Sequence, residues 1–239
     1  MRRAAVRRQS LVLARLVKLS ALALGAGLVV TGCSPVKMGA AAIVGDQRIT
    51  IANLDTEVTN LSQYVKLYPG TVQLNQAQET LQTLTWLVRF KINEELARQA
   101  GITVSTAQAQ TARDEILNSA KANAQAQGIS NVTFTLILTS SGIPPDLADE
   151  VARYQAIDDQ FALQANGGQA PATQEARTAV TDKLNKARCV AAKALKIEVN
   201  PQFGRLDYSQ YAVVASSGTV TRSAGPAKTG ALPGLAPAC

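Results

Sequence analysis

Three cysteines, no histidine and two adjacent carboxylate pairs bound the chemistry open to this 239-residue chain. The missing histidine removes histidine-based triads, histidine metal ligands and histidine general bases together. Glu94-Glu95 and Asp158-Asp159 are neighbours in sequence. On a helix such neighbours point about 100° apart, so they do not converge on a metal or a proton, and they read as solvated faces. No serine or lysine sits in the strand-turn-helix setting of an activated nucleophile. The chain therefore reads as a binder and not an enzyme, with no metal, cofactor, phosphate site or small-molecule substrate expected. The cysteines say more. Cys33 closes an apolar run, while Cys189 and Cys239 lie far from it.

Residues 1–32 carry Arg2, Arg3, Arg7, Arg8, Arg15 and Lys18 and no acidic residue, followed by the uncharged run Leu19 to Val30. Twelve helical residues span roughly 18 Å, short of a hydrocarbon core of about 30 Å. A basic stretch, a short apolar stretch and then small residues make an export signal. Val30-Thr31-Gly32-Cys33 resembles the lipobox of bacterial lipoproteins. That resemblance implies acylation (palmitate-type chains) at Cys33, cleavage before it, and a lipid anchor on the extracytoplasmic face of the cell membrane. Arg7-Arg8-Gln9-Ser10-Leu11 is loosely similar to a twin-arginine motif, so both export routes stay open.

The charge balance changes with that assignment. Six of the 24 basic residues precede Cys33, which leaves 18 against 17 acidic ones and reduces +7 to +1. Nucleic-acid binding is thereby set aside. In an oxidising location Cys189 and Cys239 either pair, pinning the end of the chain to the domain, or Cys189 is a small buried residue on a helix.

The expected fold is mainly α. A tether over 33–40 leads into two β-prone runs around Gly45-Asp46, a hairpin signal. Thr50 or Asn53 then caps a helix to about Tyr68, stopped by Pro69-Gly70. A long helix from about Asn75 to Ala100 carries Leu84, Val88, Ile92 and Leu96 on one stripe, and Trp86 and Phe90 on roughly the opposite side. A helix apolar on two faces is either sandwiched or keeps one face for a partner. Further helices are expected over 106–127, around 132–138, from Pro145 to Ala165 and over 172–195, then a short strand at 196–200. The helical domain is placed at 41–208 and a flexible, disordered tail at 209–239, where Gly, Pro, Ser and Ala dominate.

Ala42-Ile43-Val44-Gly45-Asp46-Gln47-Arg48-Ile49-Thr50, followed by helices, resembles the start of the SurA/PrsA-type chaperones. The helix-turn-helix about Gly142-Ile143-Pro144-Pro145 is similar to theirs. Val199-Asn200-Pro201-Gln202-Phe203-Gly204-Arg205-Leu206-Asp207 resembles the closing element of actinobacterial members, with Gln202 and Leu206 departing from it. The likeness covers about 41–208 and implies a SurA N-terminal-type domain. Only residues 165–172 occupy the place of the parvulin isomerase domain, so isomerase activity is not expected. The resemblance implies a lipid-anchored, non-catalytic holdase for unfolded or newly exported polypeptides. The alternative is a structural or adaptor lipoprotein that holds one cell-envelope partner. Trp86 and Phe90, then Phe134, Tyr154 and Phe161, are the candidate peptide contacts.

Overall fold

A computed structural model describes residues 38–68 and 74–216. Strands β1 (Ala40–Val44) and β2 (Gln47–Thr50) form an antiparallel hairpin with Val44 opposite Gln47, so Gly45-Asp46 is its two-residue turn. Gly45 has φ +64° and lies where a Cβ would meet the Leu195 side chain at 3.0 Å, which calls for glycine on both counts. Helix α1 (Ile51–Leu67) starts where Thr50 accepts a hydrogen bond from the Asn53 amide, which settles the cap between the two candidates.

Helix α2 (Gln76–Ala100) opens on a reciprocal Asn75/Gln78 capping box and ends at Gly101 in the left-handed region, φ +65°. It packs against α1, β1 and the later elements α5 (Ala148–Ala165), α6 (Gln174–Ala194) and β5 (Ala212–Val214). Both apolar stripes are consequently covered. Leu84, Val88, Ile92 and Leu96 are fully buried, and burying each such side chain stabilises by about 1.5–3 kcal/mol. The two-faced helix is a sandwiched one.

Helix α3 (Thr106–Gln125), with its own Ser105/Gln108 capping box, buries only Ala112 completely. Helix α4 (Phe134–Ser140) confirms the helical reading of the stretch around 132–138. A 3₁₀ turn at Pro145–Leu147 leads into α5, and Gly167 and Gly168 at positive φ break the chain before α6.

The chain then returns to its start. Strand β3 (Glu198–Val199) pairs with β1, giving the order β2-β1-β3. Asn200 reinforces the junction, its backbone donating to the Ala41 carbonyl at 2.9 Å and its side chain to the Ala40 carbonyl at 3.0 Å.

One expectation is corrected here. The flexible tail expected from residue 209 is contradicted over its first residues, because β4 (Arg205–Asp207) pairs with β5, and Tyr211 and Val213 are buried against α2. Arg89 donates to the Gln210 and Tyr211 carbonyls at 3.0 Å each, and the Val213 amide donates to Thr85 at 2.9 Å. Gly204 lets the hairpin close. A Cβ there would lie 2.3 Å from the Val214 carbonyl oxygen. The remainder of the expected tail, 217–239, lies outside the described residues, as do the expected signal and Cys33. Among the described residues no helix is long and apolar enough to cross a membrane.

Candidate functional site

The aromatic candidates are brought together, but inward. Trp86, Phe90 and Tyr154 form a cluster with ring centroids 5.8 to 6.1 Å apart, two of the three contacts edge-on. Trp86 and Phe90 are each 6% exposed and Phe134 is 5% exposed, so none offers a surface to a polypeptide. Tyr154 and Phe161 are only partly buried and pack on the same core. The physical reason is the position of α2, whose second stripe packs on Tyr154 of α5. Arg113 covers the Phe134 ring from outside at 4.9 Å.

Behind this cluster lies a buried ionic junction. Arg188 of α6 is 4% exposed, stacks over Tyr154 at 4.9 Å and donates to Asp158 of α5 at 2.5 Å. Asn93 of α2 accepts from Arg188 and donates to the Tyr154 carbonyl at 3.0 Å, so three helices meet in one polar network. Burial pushes the Asp158 carboxyl up to about 6, against the pull of Arg188. Burial also pushes the Tyr154 phenol up to about 12. At neutral pH the pair is therefore ionic, and desolvation offsets much of its attraction. The expectation that Asp158-Asp159 forms a solvated face is corrected for Asp158, whose side chain is 15% exposed.

Asp159, one residue on, faces elsewhere. Helices α3 and α5 pack through Ala112 and Ala156, each 2% exposed, and beside that contact runs an open groove of about 530 Å³. Thr111, Ala112 and Glu115 line it from α3, Ala156, Asp159 and Leu163 from α5, and Pro171 from the segment before α6. Small side chains at the helix contact keep the walls near each other, while Leu163 supplies apolar surface. Burial raises the Asp159 carboxyl, the Gln155 hydrogen bond opposes this, and Glu115 raises it further. The cations nearby are engaged. Arg177 donates to the Pro171 and Ala172 carbonyls, Lys183 to the Ala165 carbonyl, and Arg113 lies 3.8 Å from Asp149. The groove is thus lined mainly by small and apolar side chains, with the carboxylates Glu115 and Asp159 among them. A second opening of about 370 Å³, lined by Glu115, Ile116, Ile137 and Gln155, continues on the other side of α3.

The groove is built from small side chains and not from large aromatic ones, so it leaves no conspicuous contact residue in the sequence. A usable signal was present in the four-residue steps Ala148, Ala152, Ala156 on one helix, facing the Ala- and Gln-rich run 106–125. Elsewhere, Glu57 of α1 is 9% exposed and faces Asp146 and Glu150. Its carboxyl is raised by burial first and by those two charges next. Among the described residues no group of three histidines, cysteines or carboxylates is arranged to hold a metal ion.

Cys189 is 9% exposed, packs in the core and is disulfide-bonded. The two other cysteines, Cys33 and Cys239, lie outside the described residues. The chain matches no family model, and neither a curated protein nor a solved structure matches it.

Proposed function

We propose that this chain is a lipid-anchored extracytoplasmic protein, tethered at Cys33, whose helical domain holds unfolded or newly exported polypeptides without catalysis. The observation that carries the reading is the α3–α5 groove, an open slot lined mainly by small and apolar side chains. It suits an extended segment of small apolar residues better than a rigid folded surface. The order of elements, from the hairpin leading into α1 to the return of β3 onto β1, is in keeping with a SurA N-terminal-type domain lacking the isomerase insertion. The basic-apolar-cysteine start of the sequence supports the anchor.

The test uses the chain from residue 34 onward with several unrelated, chemically unfolded proteins, following aggregation by light scattering. Protection of most of them supports a holdase, and Leu163→Glu should reduce it while leaving the helical circular dichroism intact. Protection of none, with capture of one specific envelope protein, supports the adaptor reading instead.

A further inference from the structure

We infer that Glu57, Asp146 and Glu150 form a receptor for one basic side chain, a lysine or an arginine, carried by a polypeptide partner. The receptor is separate from the α3–α5 groove and does not depend on it, since Glu150 lies in the first turn of α5, ahead of the groove residues of that helix.

One oxygen of this cluster lacks a donor. Glu57 of α1 is 9% exposed, and its Oε2 is buried with no hydrogen bond from any described residue. Burying an ionised carboxylate is costly unless it is paired, and here burial is the first cause that raises the carboxyl. Buried polar atoms are nearly always bonded, so this one points to a donor supplied from outside the domain.

The surroundings specify the charge of that donor. Asp146 and Glu150 are exposed carboxylates, and both repel the Glu57 charge. Asn60, one turn on from Glu57, donates to Asp146 at 2.5 Å and so ties the 3₁₀ turn to this face of α1. The cations of the neighbouring helices leave the cluster open. Arg113 lies 3.8 Å from Asp149, outside the three, and Arg153, exposed on α5, forms an ion pair with none of them. Neither is among the charges that shift Glu57.

The spacing specifies the kind of cation. The three carboxylates are not gathered tightly enough to hold a metal ion. A guanidinium or ammonium group is larger and spreads its N–H donors over separate acceptors. Its aliphatic stem carries the charged tip to a carboxylate that is nearly covered, while the backbone of the partner stays at the surface. Asp146 and Glu150 are exposed, so the cluster is reached from solvent.

The experiment uses the chain from residue 34 onward, which contains every described element. The probe is the peptide acetyl-Ala-Ala-Arg-Ala-Ala-amide, and the same peptide with glutamine for arginine is the control. Carboxyl-carbon NMR follows each acidic side chain as pH is varied. The arginine peptide should shift Glu57, Asp146 and Glu150 together and lower the Glu57 carboxyl toward its ordinary range, because a cation beside it favours the charged form. The glutamine peptide should shift none of them. Glu57→Gln keeps the size of the side chain and should weaken the arginine peptide by at least about tenfold. Asp146→Asn with Glu150→Gln, both at exposed positions, should do the same, which keeps the test decisive if Glu57→Gln disturbs the fold. Equal shifts at Asp114 and Asp182, exposed carboxylates outside the cluster, would reduce the effect to general attraction and overturn the proposal. Spermidine or calcium chloride binding the same three residues as tightly as the peptide would overturn it too, by making the site one for free cations. Aggregation assays decide the holdase separately: if the arginine peptide binds as stated but no unfolded protein is protected, the receptor stands and the holdase falls.

Discussion

Asp158 and Asp159 are consecutive residues with the same chemistry, yet α5 presents them to two different environments. Asp158 points into the junction of α2, α5 and α6, where Arg188, Asn93 and the Tyr154 ring surround it. Asp159 lines the open groove beside α3, where Glu115 is a second carboxylate. Burial raises both carboxyls, but for Asp158 a cation opposes the shift and for Asp159 an anion adds to it. One helix thus separates a face that holds the domain together from a face left open to a partner. What distinguishes them is which element covers each side.

The sharpest way to break that comparison is Arg188→Met. It removes the cation and leaves Asp158 buried with no counter-charge, a loss of about 3–5 kcal/mol at pH 7. Urea unfolding measures it. The penalty should shrink as pH falls toward 6, because without Arg188 the Asp158 carboxyl takes up its proton at a higher pH than in the wild type and then needs no partner. A penalty below about 1 kcal/mol at pH 7 would mean the junction is hydrated and differs little from the groove face.

The second effect is the pH dependence that Asp158 imposes on the intact protein. Its folded-state value of about 6 lies above the ordinary 3.8, so the native state holds this proton more tightly than the unfolded chain does. The stabilising contribution is present in full below about pH 3.8 and is lost as pH rises through 6. It amounts to about 3 kcal/mol across that window. Subtracting the stability curve of Asp158→Asn from that of the wild type should isolate it. A flat difference curve between pH 4 and 7 would contradict the burial argument.

Ala112→Leu comes next. Ala112 and Ala156 are both 2% exposed where α3 meets α5, and three added carbons have nowhere to go. Overpacking of this kind costs about 1–3 kcal/mol and should push α3 outward, widening the groove without disturbing the aromatic cluster. Chemical shifts of Trp86 and Phe90 should stay fixed while those of Thr111 and Leu163 move. Movement of both sets would show the two faces of α5 to be coupled.

Periodicity and punctuation made the elements legible: the Gly45-Asp46 turn, the helix starts near Asn75 and Thr106, Gly101 and the Gly167-Gly168 break all lie where local backbone chemistry requires them. Three features were not legible, each because it depends on distant residues. Trp86 and Phe90 form a stripe that reads equally well as core or contact, and only the position of α5 and α6 decides it. Arg188 looks like one more surface cation of a Lys/Arg-bearing helix, and its burial depends on Asp158, thirty residues earlier. The β4–β5 hairpin has strands of three residues each, too short for an alternation pattern, and it is fixed by Arg89 and Thr85 from a helix more than 120 residues away.

The smallest effect bears most directly on the groove. Asp159→Asn removes a charge that burial and Glu115 disfavour and that only the Gln155 amide supports. Because the raised carboxyl costs stability once ionised, its neutral replacement should be stabilising at pH 7. Asparagine still accepts from Gln155, so the change stays within about 0.5 kcal/mol. The gain should shrink as pH falls, because the raised carboxyl takes up its proton in the native state before it does in the unfolded chain. Urea midpoints at pH 7 and at a lower pH give both numbers from one variant. A loss of 2 kcal/mol or more at pH 7, on the order of breaking a buried pair, would make Asp159 a structural ion like its neighbour. The carboxylates of the groove would then belong to the scaffold and not to a face left open to a partner.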